Sequence, residues 1–168
     1  QQKLVEMWQF FAKRCRYLTH VVAYNLMVEP HPEDTVDQEP LDANVWNDLA
    51  KRITAGIREV DDETPIVVSA IGWGGASSFS ELEPTGDERT IYSFHNYEPF
   101  QFTHQGMEWA GTEGVSGLEY PGLIPSDFFE ETRFWNRGVL EELFESVIAF
   151  QSEHDVPIFV GEFGCSRS

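Results

Sequence analysis

Four short apolar runs, each bounded by a turn signal, stand out along the chain. They cover residues 21–27, 65–71, 91–94 and 157–160. Runs of this length are typical of strands that are buried on both faces of a parallel sheet. The pattern therefore predicts four strands, spread from near the first residue to near the last.

Between these runs, apolar residues recur at the spacing of a helix face. Three such faces are Leu4, Met7, Trp8, Phe11, Cys15 and Leu18; Trp46, Leu49, Ile53 and Ile57; and Leu140, Leu143, Phe144, Val147 and Ile148. Asp42 precedes the second face and is a candidate helix N-cap. Trp8 and Trp46 lie on core-facing stripes, which favours a packing role for both. Helices that alternate with strands predict parallel pairing and an α/β fold.

The length and the strand count together indicate how much of a fold is present. The chain has 168 residues, enough for one domain with a sizeable core. A closed eight-stranded α/β barrel usually needs about 250 residues. With four strands, we expect residues 1–168 to be part of a single barrel domain, an interior or C-terminally clipped piece of it. Residues 111–125 are rich in Gly and Pro and predict a long surface loop.

Composition and spacing exclude several classes of function. The net charge is −18, with 29 acidic and 11 basic residues, which argues against nucleic acid or an anionic membrane as a partner. No run approaches the roughly 20 apolar residues that span a bilayer. The five histidines show no metal-binding spacing, and no phosphate-binding glycine motif follows a strand. The sequence thus predicts neither a metal nor a cofactor. Two cysteines, Cys15 and Cys165, are too few for a disulfide scaffold.

Chemically able side chains stand where three of the predicted strands end. Glu29 follows the first run, His95 and Tyr97 follow the third, and Glu162 follows the fourth. A lone glutamate after a strand is usually a solvated or capping residue. Two carboxylates at the ends of parallel strands, however, can face each other across a cleft, as glycoside hydrolysis requires. One protonates the leaving oxygen, and the other attacks the anomeric carbon or activates water.

Three segments together resemble glycoside hydrolase family 5, the cellulase family of clan A. They are residues 24–30 (Tyr-Asn-Leu-Met-Val-Glu-Pro), residues 92–106 with the block Tyr-Ser-Phe-His-Asn-Tyr-Glu-Pro-Phe, and residues 157–164 with Gly-Glu-Phe-Gly. The resemblance covers essentially the whole chain and implies strands 4 to 7 of a (β/α)8 TIM barrel. It also implies a secreted enzyme that hydrolyses β-1,4-glucan with retention, although mannan and other β-glucans are substrates within the family.

The resemblance assigns roles to the four residues at the strand ends. Glu29 matches the acid/base, Glu162 matches the nucleophile, and His95 and Tyr97 match a supporting pair. We expect carboxyl groups about 5–5.5 Å apart, the retaining separation. We also expect the Tyr97 hydroxyl within about 2.6–3.2 Å of Glu162.

One position departs from the family pattern. Val28 stands where the family has an asparagine that contacts the sugar 2-hydroxyl, and such contacts contribute several kcal/mol in the transition state. A non-catalytic or impaired carbohydrate-binding homologue is therefore an alternative to the enzyme. A zinc-dependent barrel hydrolase is disfavoured by the missing histidine spacing.

Aromatic residues are candidates for binding the glycan. Trp73 follows the second strand, and Trp109 and Tyr120 flank the Gly-rich loop; flat rings of this kind stack on the apolar faces of sugars. The expected partners are a β-linked polysaccharide or oligosaccharide and, for the barrel itself, its remaining half or a second copy of the chain.

Overall fold

The computed structural model describes residues 1–31, 35–36, 39–126 and 128–166. The helices and strands in chain order are α1 Gln2–Cys15, β1 Tyr24–Asn25, β2 Thr35–Val36, β3 Glu39–Pro40, α2 Ala43–Arg58, β4 Ile66–Ser69, α3 Ile71–Gly74, β5 Thr90–Asn96, α4 Phe100–Thr103, β6 Gly122–Ser126, β7 Glu131–Trp135, α5 Arg137–Leu143, α6 Glu145–His154 and β8 Ile158–Phe163. Two short 3₁₀ helices cover Ala76–Ser80 and Glu108–Ala110.

The four predicted strands form one parallel sheet in the order β1–β4–β5–β8. Spatial order follows chain order, as in consecutive strands of a barrel. The first strand is shorter than its apolar run, although backbone bonds from Tyr24 to Pro65 and from Leu26 to Val67 keep it beside β4. The α/β prediction is thereby confirmed, and the carboxyl ends of the strands share one edge of the sheet.

Helix α2 anchors the core to the middle of the sheet. Asp42 caps it by accepting a hydrogen bond from the Val45 amide at 2.8 Å, which confirms the predicted N-cap. The fully buried Trp46 donates its indole N–H to the Ser69 carbonyl at 2.8 Å. This bond ties the helix to the end of β4, close to the edge where the candidate site lies.

Helix α1 packs on α2 through a narrower face than its pattern predicts. Val5 and Ala12 are its buried residues, and Gly56 of α2 permits the approach because a Cβ there would lie 2.6 Å from Val5 Cγ1. Met7 and Phe11 are exposed, so their prediction as core residues is wrong within the described part of the chain. Their position on the helix explains this exposure, because among the described residues no helix covers the side of α1 that faces away from α2.

Strand β8 also departs from the predicted burial on both faces. The central strand β4 is fully buried, but Phe159 and Phe163 of β8 are 52% and 76% exposed. Since β8 ends the strand order, it pairs along one side only among the described residues. Burial on both faces is therefore a property of the central strands.

An antiparallel hairpin occupies the end of the predicted loop. Residues 122–125 lie in β6, which pairs with β7 from Gly122↔Trp135 to Ser126↔Glu131. The prediction of a surface loop for residues 111–125 is therefore wrong at its C-terminal end. Ile124 and Trp135 are fully buried and hold the hairpin in a small cluster of its own with Val139. This long-range cluster, rather than a local strand pattern, makes the segment extended.

The third predicted helix is two helices, α5 and α6, which meet at Phe144. Leu143 and Val147 face the core, whereas Ile148 is exposed.

Cys15 is half-buried against the core and Cys165 is exposed, and both thiols are free. Among the described residues, we find no helix with the length and apolar character needed to cross a bilayer.

An ion pair between Arg58 and Asp87 lies just before the start of β5, at the end of the sheet opposite the candidate site. Arg58 donates to both carboxylate oxygens of Asp87, at 2.7 and 2.9 Å, and also to the carbonyls of Asp61 and Thr64. The hydrogen bonds from Arg58 hold the pKa of Asp87 below its usual value, against the opposing effect of burial. The charged Asp87 therefore stabilises the folded state.

We predict that Asp87→Asn lowers the free energy of unfolding of the full-length protein by about 1.5–3 kcal/mol at pH 7, because a charged hydrogen-bond pair is lost. The folded pKa lies below the unfolded value of about 3.9, so the stabilisation is complete above that value and disappears as the pH falls through the folded pKa. Urea unfolding at pH 7 and in acid measures both effects. Glu141→Gln, in the exposed Arg137–Glu141 pair, is the matched control and should change little. Equal stability of Asp87→Asn and the parent at pH 7 would contradict the assignment.

Candidate active site

The chemically able residues meet at the carboxyl edge of the parallel sheet. β1 leads to Glu29, β5 carries His95 and leads to Tyr97, and β8 carries Glu162. Because parallel strands end at the same edge, residues far apart in sequence become neighbours there. The structure brings all four of these predicted residues together.

Glu29 is held by the buried imidazole of His95. The Nδ1 atom of His95 lies 2.8 Å from Oε1 of Glu29, and the imidazole is only 4% exposed whereas the Glu29 side chain is 35% exposed. One proton is shared in this contact, either as Nδ1–H donating to the carboxylate or as the carboxylic acid donating to Nδ1. His95 can thus orient Glu29, whose side chain is partly exposed and lines the cleft.

Glu162 is held by Tyr97. The Tyr97 hydroxyl donates to Oε2 of Glu162 at 2.9 Å, which confirms the predicted contact. This hydrogen bond, together with burial, raises the pKa of Tyr97, so that the hydroxyl stays protonated and remains a donor. The hydrogen bond holds the Glu162 carboxyl group in one orientation.

The two carboxylates are close to each other. One oxygen of Glu29, one oxygen of Glu162 and a ring nitrogen of His95 all lie within 4.8 Å of one another. His95 Nδ1 is 3.7 Å from Oε2 of Glu162. The nearest oxygens of the two carboxylates are therefore no more than 4.8 Å apart, and the expected carboxyl separation of about 5–5.5 Å stays a prediction. The same three groups are also close enough to share a cation.

A local irregularity in β8 aims Glu162 at the site. The pairing with β5 runs from Phe94↔Val160 directly to His95↔Glu162, which leaves Gly161 as an extra residue. Such a bulge changes the direction of the side chain that follows it. Glu162 consequently stands opposite His95, on the same edge as Glu29.

A cleft of about 910 Å³ opens over these groups. Its lining includes three glutamates, and among the described residues that line it there is neither a lysine nor an arginine. Aromatic rings form much of the rest of the wall. A cleft of this composition suits a neutral, hydroxyl-rich ligand better than a phosphate or a carboxylate.

Comparison with known proteins agrees with this geometry. A model of the cellulase family, glycosyl hydrolase family 5, matches residues 1–168. The chain belongs to this family.

Individual relatives are distant but match along the chain. Cellodextrinase A of Ruminococcus flavefaciens is 26% identical, over 98% of this chain and 44% of the relative. Endoglucanase C of Acetivibrio thermocellus is 25% identical, over 98% of this chain and 50% of the relative. The crystal structure of endoglucanase Cel5A from the hyperthermophilic Thermotoga maritima superposes with a TM-score of 0.79 at 27% identity, covering 98% of this chain and 48% of that one. The chain thus spans about half the length of these family 5 proteins, and its parallel sheet corresponds to about half of the (β/α)8 barrel.

Trp73 stands beside the segment that follows Glu29. Its backbone has a positive φ of 56°, its amide donates to the Pro30 carbonyl at 3.2 Å, and its ring stacks on His31 at a centroid distance of 4.9 Å. The indole lines the cleft and is 51% exposed. The ring stacks on the segment that follows Glu29, and the side chain remains open to the cleft.

A second aromatic wall follows β5. Trp109 lines the cleft, its ring edge-on to His104 at 5.2 Å, and His104 in turn stacks on Phe100 at 4.0 Å. Sequence reasoning assigned no role to His104, Phe100 or the nearby Met107. The available signal was their place in the segment just after the strand that carries His95 and Tyr97.

Two predicted residues lie apart from this wall. Tyr120 does not line the cleft, and its ring lies 6.1 Å from that of Phe102. The reason is the hairpin, because its tip carries Phe128 to the cleft while Tyr120 precedes its base. Val28 is exposed next to Glu29 and is likewise not among the lining residues. The prediction of Tyr120 as a sugar-binding residue has no support in this geometry.

Proposed function

We propose that the protein is a retaining endo-β-glycosidase that hydrolyses β-1,4-glucan by a double displacement on Glu162 and Glu29. The observation that carries the proposal is the pair of close carboxylates, each held by a different partner: Glu29 by His95 and Glu162 by Tyr97. Two carboxylates in different environments can take the two roles that retention requires.

In the first step, an oxygen of Glu162 attacks the anomeric carbon and the bond to the leaving sugar breaks. Glu29 gives its proton to the departing glycosidic oxygen, so the leaving sugar departs as a neutral alcohol. The product on the enzyme is a glycosyl ester of Glu162. Tyr97 holds Glu162 in line, and His95 orients the proton on Glu29.

In the second step, a water replaces the departed sugar. Glu29, now a carboxylate, removes a proton from this water as its oxygen attacks the anomeric carbon. The ester bond breaks and Glu162 regains its charge. Two inversions at the same carbon restore the β configuration, and Glu29 is protonated again.

The substrate class rests on the cleft and on the relatives. An open cleft with aromatic walls, in which no described lining residue is a lysine or an arginine, suits a neutral glycan chain. Solved structures of Thermotoga maritima Cel5A, similar to this chain at 26% identity, are complexes with cellobiose and with mannotriose. We therefore propose β-1,4-glucan as the substrate, with β-mannan as the alternative within the same chemistry.

Hydrolysis of an aryl β-cellobioside and an aryl β-mannobioside by the full-length protein tests this proposal. We expect release of the phenol from the cellobioside, and proton NMR should detect the β anomer as the first sugar product. An α anomer as the first product would show that the enzyme inverts the configuration instead of retaining it. Hydrolysis of the mannobioside alone would change the substrate to β-mannan.

Val28 supports a second candidate function, a carbohydrate-binding homologue that lacks catalysis. The valine cannot make the hydrogen bond that the family asparagine makes to the sugar 2-hydroxyl. Binding of cello-oligosaccharides without hydrolysis of any aryl glycoside would favour this candidate over the enzyme.

We predict that Val28→Asn raises kcat/KM on an aryl β-cellobioside by at least about tenfold, because a transition-state hydrogen bond of about 1.4 kcal/mol corresponds to that factor. Val22→Asn is the matched control, since Val22 is an exposed valine that precedes β1, whereas Val28 is the direct neighbour of Glu29, and replacement of Val22 should leave kcat/KM unchanged. No gain from Val28→Asn would mean that another group already supplies the contact.

A further inference from the structure

Gly161 lies against the residue that orients the proposed acid. A Cβ at this position would stand 2.9 Å from Nε2 and 3.0 Å from Cδ2 of His95, and 2.7 Å from Oγ of Ser93. The ordinary distance for such contacts is 3.4–4 Å. Every side chain larger than hydrogen would therefore compete with the His95 ring for the same space.

The imidazole has little room to retreat. On the other side of β5, the segment that follows β4 brings Gly74 against the ring, where a Cβ would already lie 3.3 Å from Cγ of His95. Gly75 forms a parallel bridge with His95 at the same place. His95 is thus enclosed between backbone from both neighbours of its strand, and its ring position is set by two glycines.

We infer that Gly161 is a positioning residue for catalysis, which acts through His95 on Glu29. The inference rests on the proposed function. Gly161 is both the extra residue of the β8 bulge and the gap into which the His95 ring fits. A methyl group at position 161 displaces the ring and breaks the 2.8 Å contact between Nδ1 and Oε1 of Glu29. The acid then loses the group that orients its proton.

Loss of proton delivery has a specific kinetic signature. A sugar hydroxyl leaves only with a proton from Glu29, whereas dinitrophenolate is stable enough to leave without one. For Gly161→Ala in the full-length protein, we expect kcat/KM on cello-oligosaccharides to fall about 10²-fold, the contribution of a general acid. On dinitrophenyl β-cellobioside it should fall by less than about threefold, because kcat/KM reports only the step that forms the glycosyl-enzyme. Equal losses on both substrates would overturn the inference.

A double-mutant cycle tests whether the effect passes through His95. In the His95→Ala background, Gly161→Ala should cost less than about twofold, because the ring that it displaces is gone. The same loss in both backgrounds would place the effect on Glu162 or on the backbone and would overturn the inference. The double variant Ser93→Ala/Gly161→Ala also removes the close contact with Ser93 Oγ. It takes the place of Gly161→Ala if that single variant does not fold. Gly114→Ala is the matched control, since a Cβ at Gly114 meets nothing within 4 Å.

A crystal structure of the Gly161→Ala variant tests the inference without turnover. Separation of His95 Nδ1 from Glu29 Oε1 beyond hydrogen-bond distance supports it, and an unchanged contact overturns it. Inactivity of the parent protein on every glycoside would instead refute the proposed function. The two failures are therefore distinguishable.

Discussion

Glu162→Gln should lower kcat on an aryl β-cellobioside by up to about 10⁶-fold, the order of the loss when a serine protease is deprived of its nucleophile. The amide keeps the shape of the carboxylate and can still accept the 2.9 Å hydrogen bond from Tyr97. It cannot, however, form the glycosyl ester that splits the reaction into two steps. Steady-state kinetics of the full-length protein measure the loss. Glu153→Gln, an exposed glutamate on α6, is the matched control and should retain the parental rate.

Azide distinguishes the two glutamates in the same assay. In Glu162→Ala, azide can enter the space of the missing carboxylate and attack the anomeric carbon, which inverts it and gives an α-glycosyl azide. In Glu29→Ala, the ester on Glu162 still forms from a dinitrophenyl substrate, and azide then displaces it to give a β-glycosyl azide. If the two variants gave the opposite products, Glu29 would be the nucleophile and Glu162 the acid/base. A fully active Glu162→Gln variant would rule out the double displacement.

Residues 1–168 expressed by themselves should self-associate or fail to fold cooperatively. β1 and β8 are the two ends of the described parallel sheet, and neither has a partner on its outer side among the described residues. Unpaired apolar edges are templates for association with other chains. The exposed Phe159 and Phe163 of β8, and Phe10 and Phe11 of α1, extend the apolar surface at both ends. Sedimentation and light scattering should therefore report a species heavier than the 19.2 kDa monomer, such as a closed dimer.

An edge-protecting substitution provides the control for this prediction. Phe159→Lys places a charge on β8, a device by which natural edge strands avoid pairing, and should increase the fraction of monomer. Coexpression with the other half of a family 5 barrel should restore a cooperative unfolding transition. A soluble 19.2 kDa monomer of residues 1–168 with a sharp transition would contradict the prediction.

Local patterns were sufficient wherever a residue's role depends on its immediate neighbours. Asp42 caps α2 because its carboxylate accepts a hydrogen bond from the Val45 amide, which is a near neighbour in the chain. The four apolar runs became parallel strands, because short apolar runs that alternate with helices favour parallel pairing in one sheet. Conversely, residues 122–126 carry a weak strand pattern, and their extension depends on Ile124 and Trp135 packing across the hairpin.

Within the candidate site, the sequence by itself determined the four strands and the chemically able residues at their ends, and its resemblance to family 5 implied the contact between Tyr97 and Glu162. The strands follow from short apolar runs, and parallel pairing then brings their ends together. Only the tertiary structure decided that His95 bonds Glu29, that a bulge at Gly161 aims Glu162 toward them, and that Tyr120 stays outside the cleft. The physical reason is that register, bulges and hairpin packing depend on contacts between residues distant in sequence, which hydrophobic periodicity does not encode.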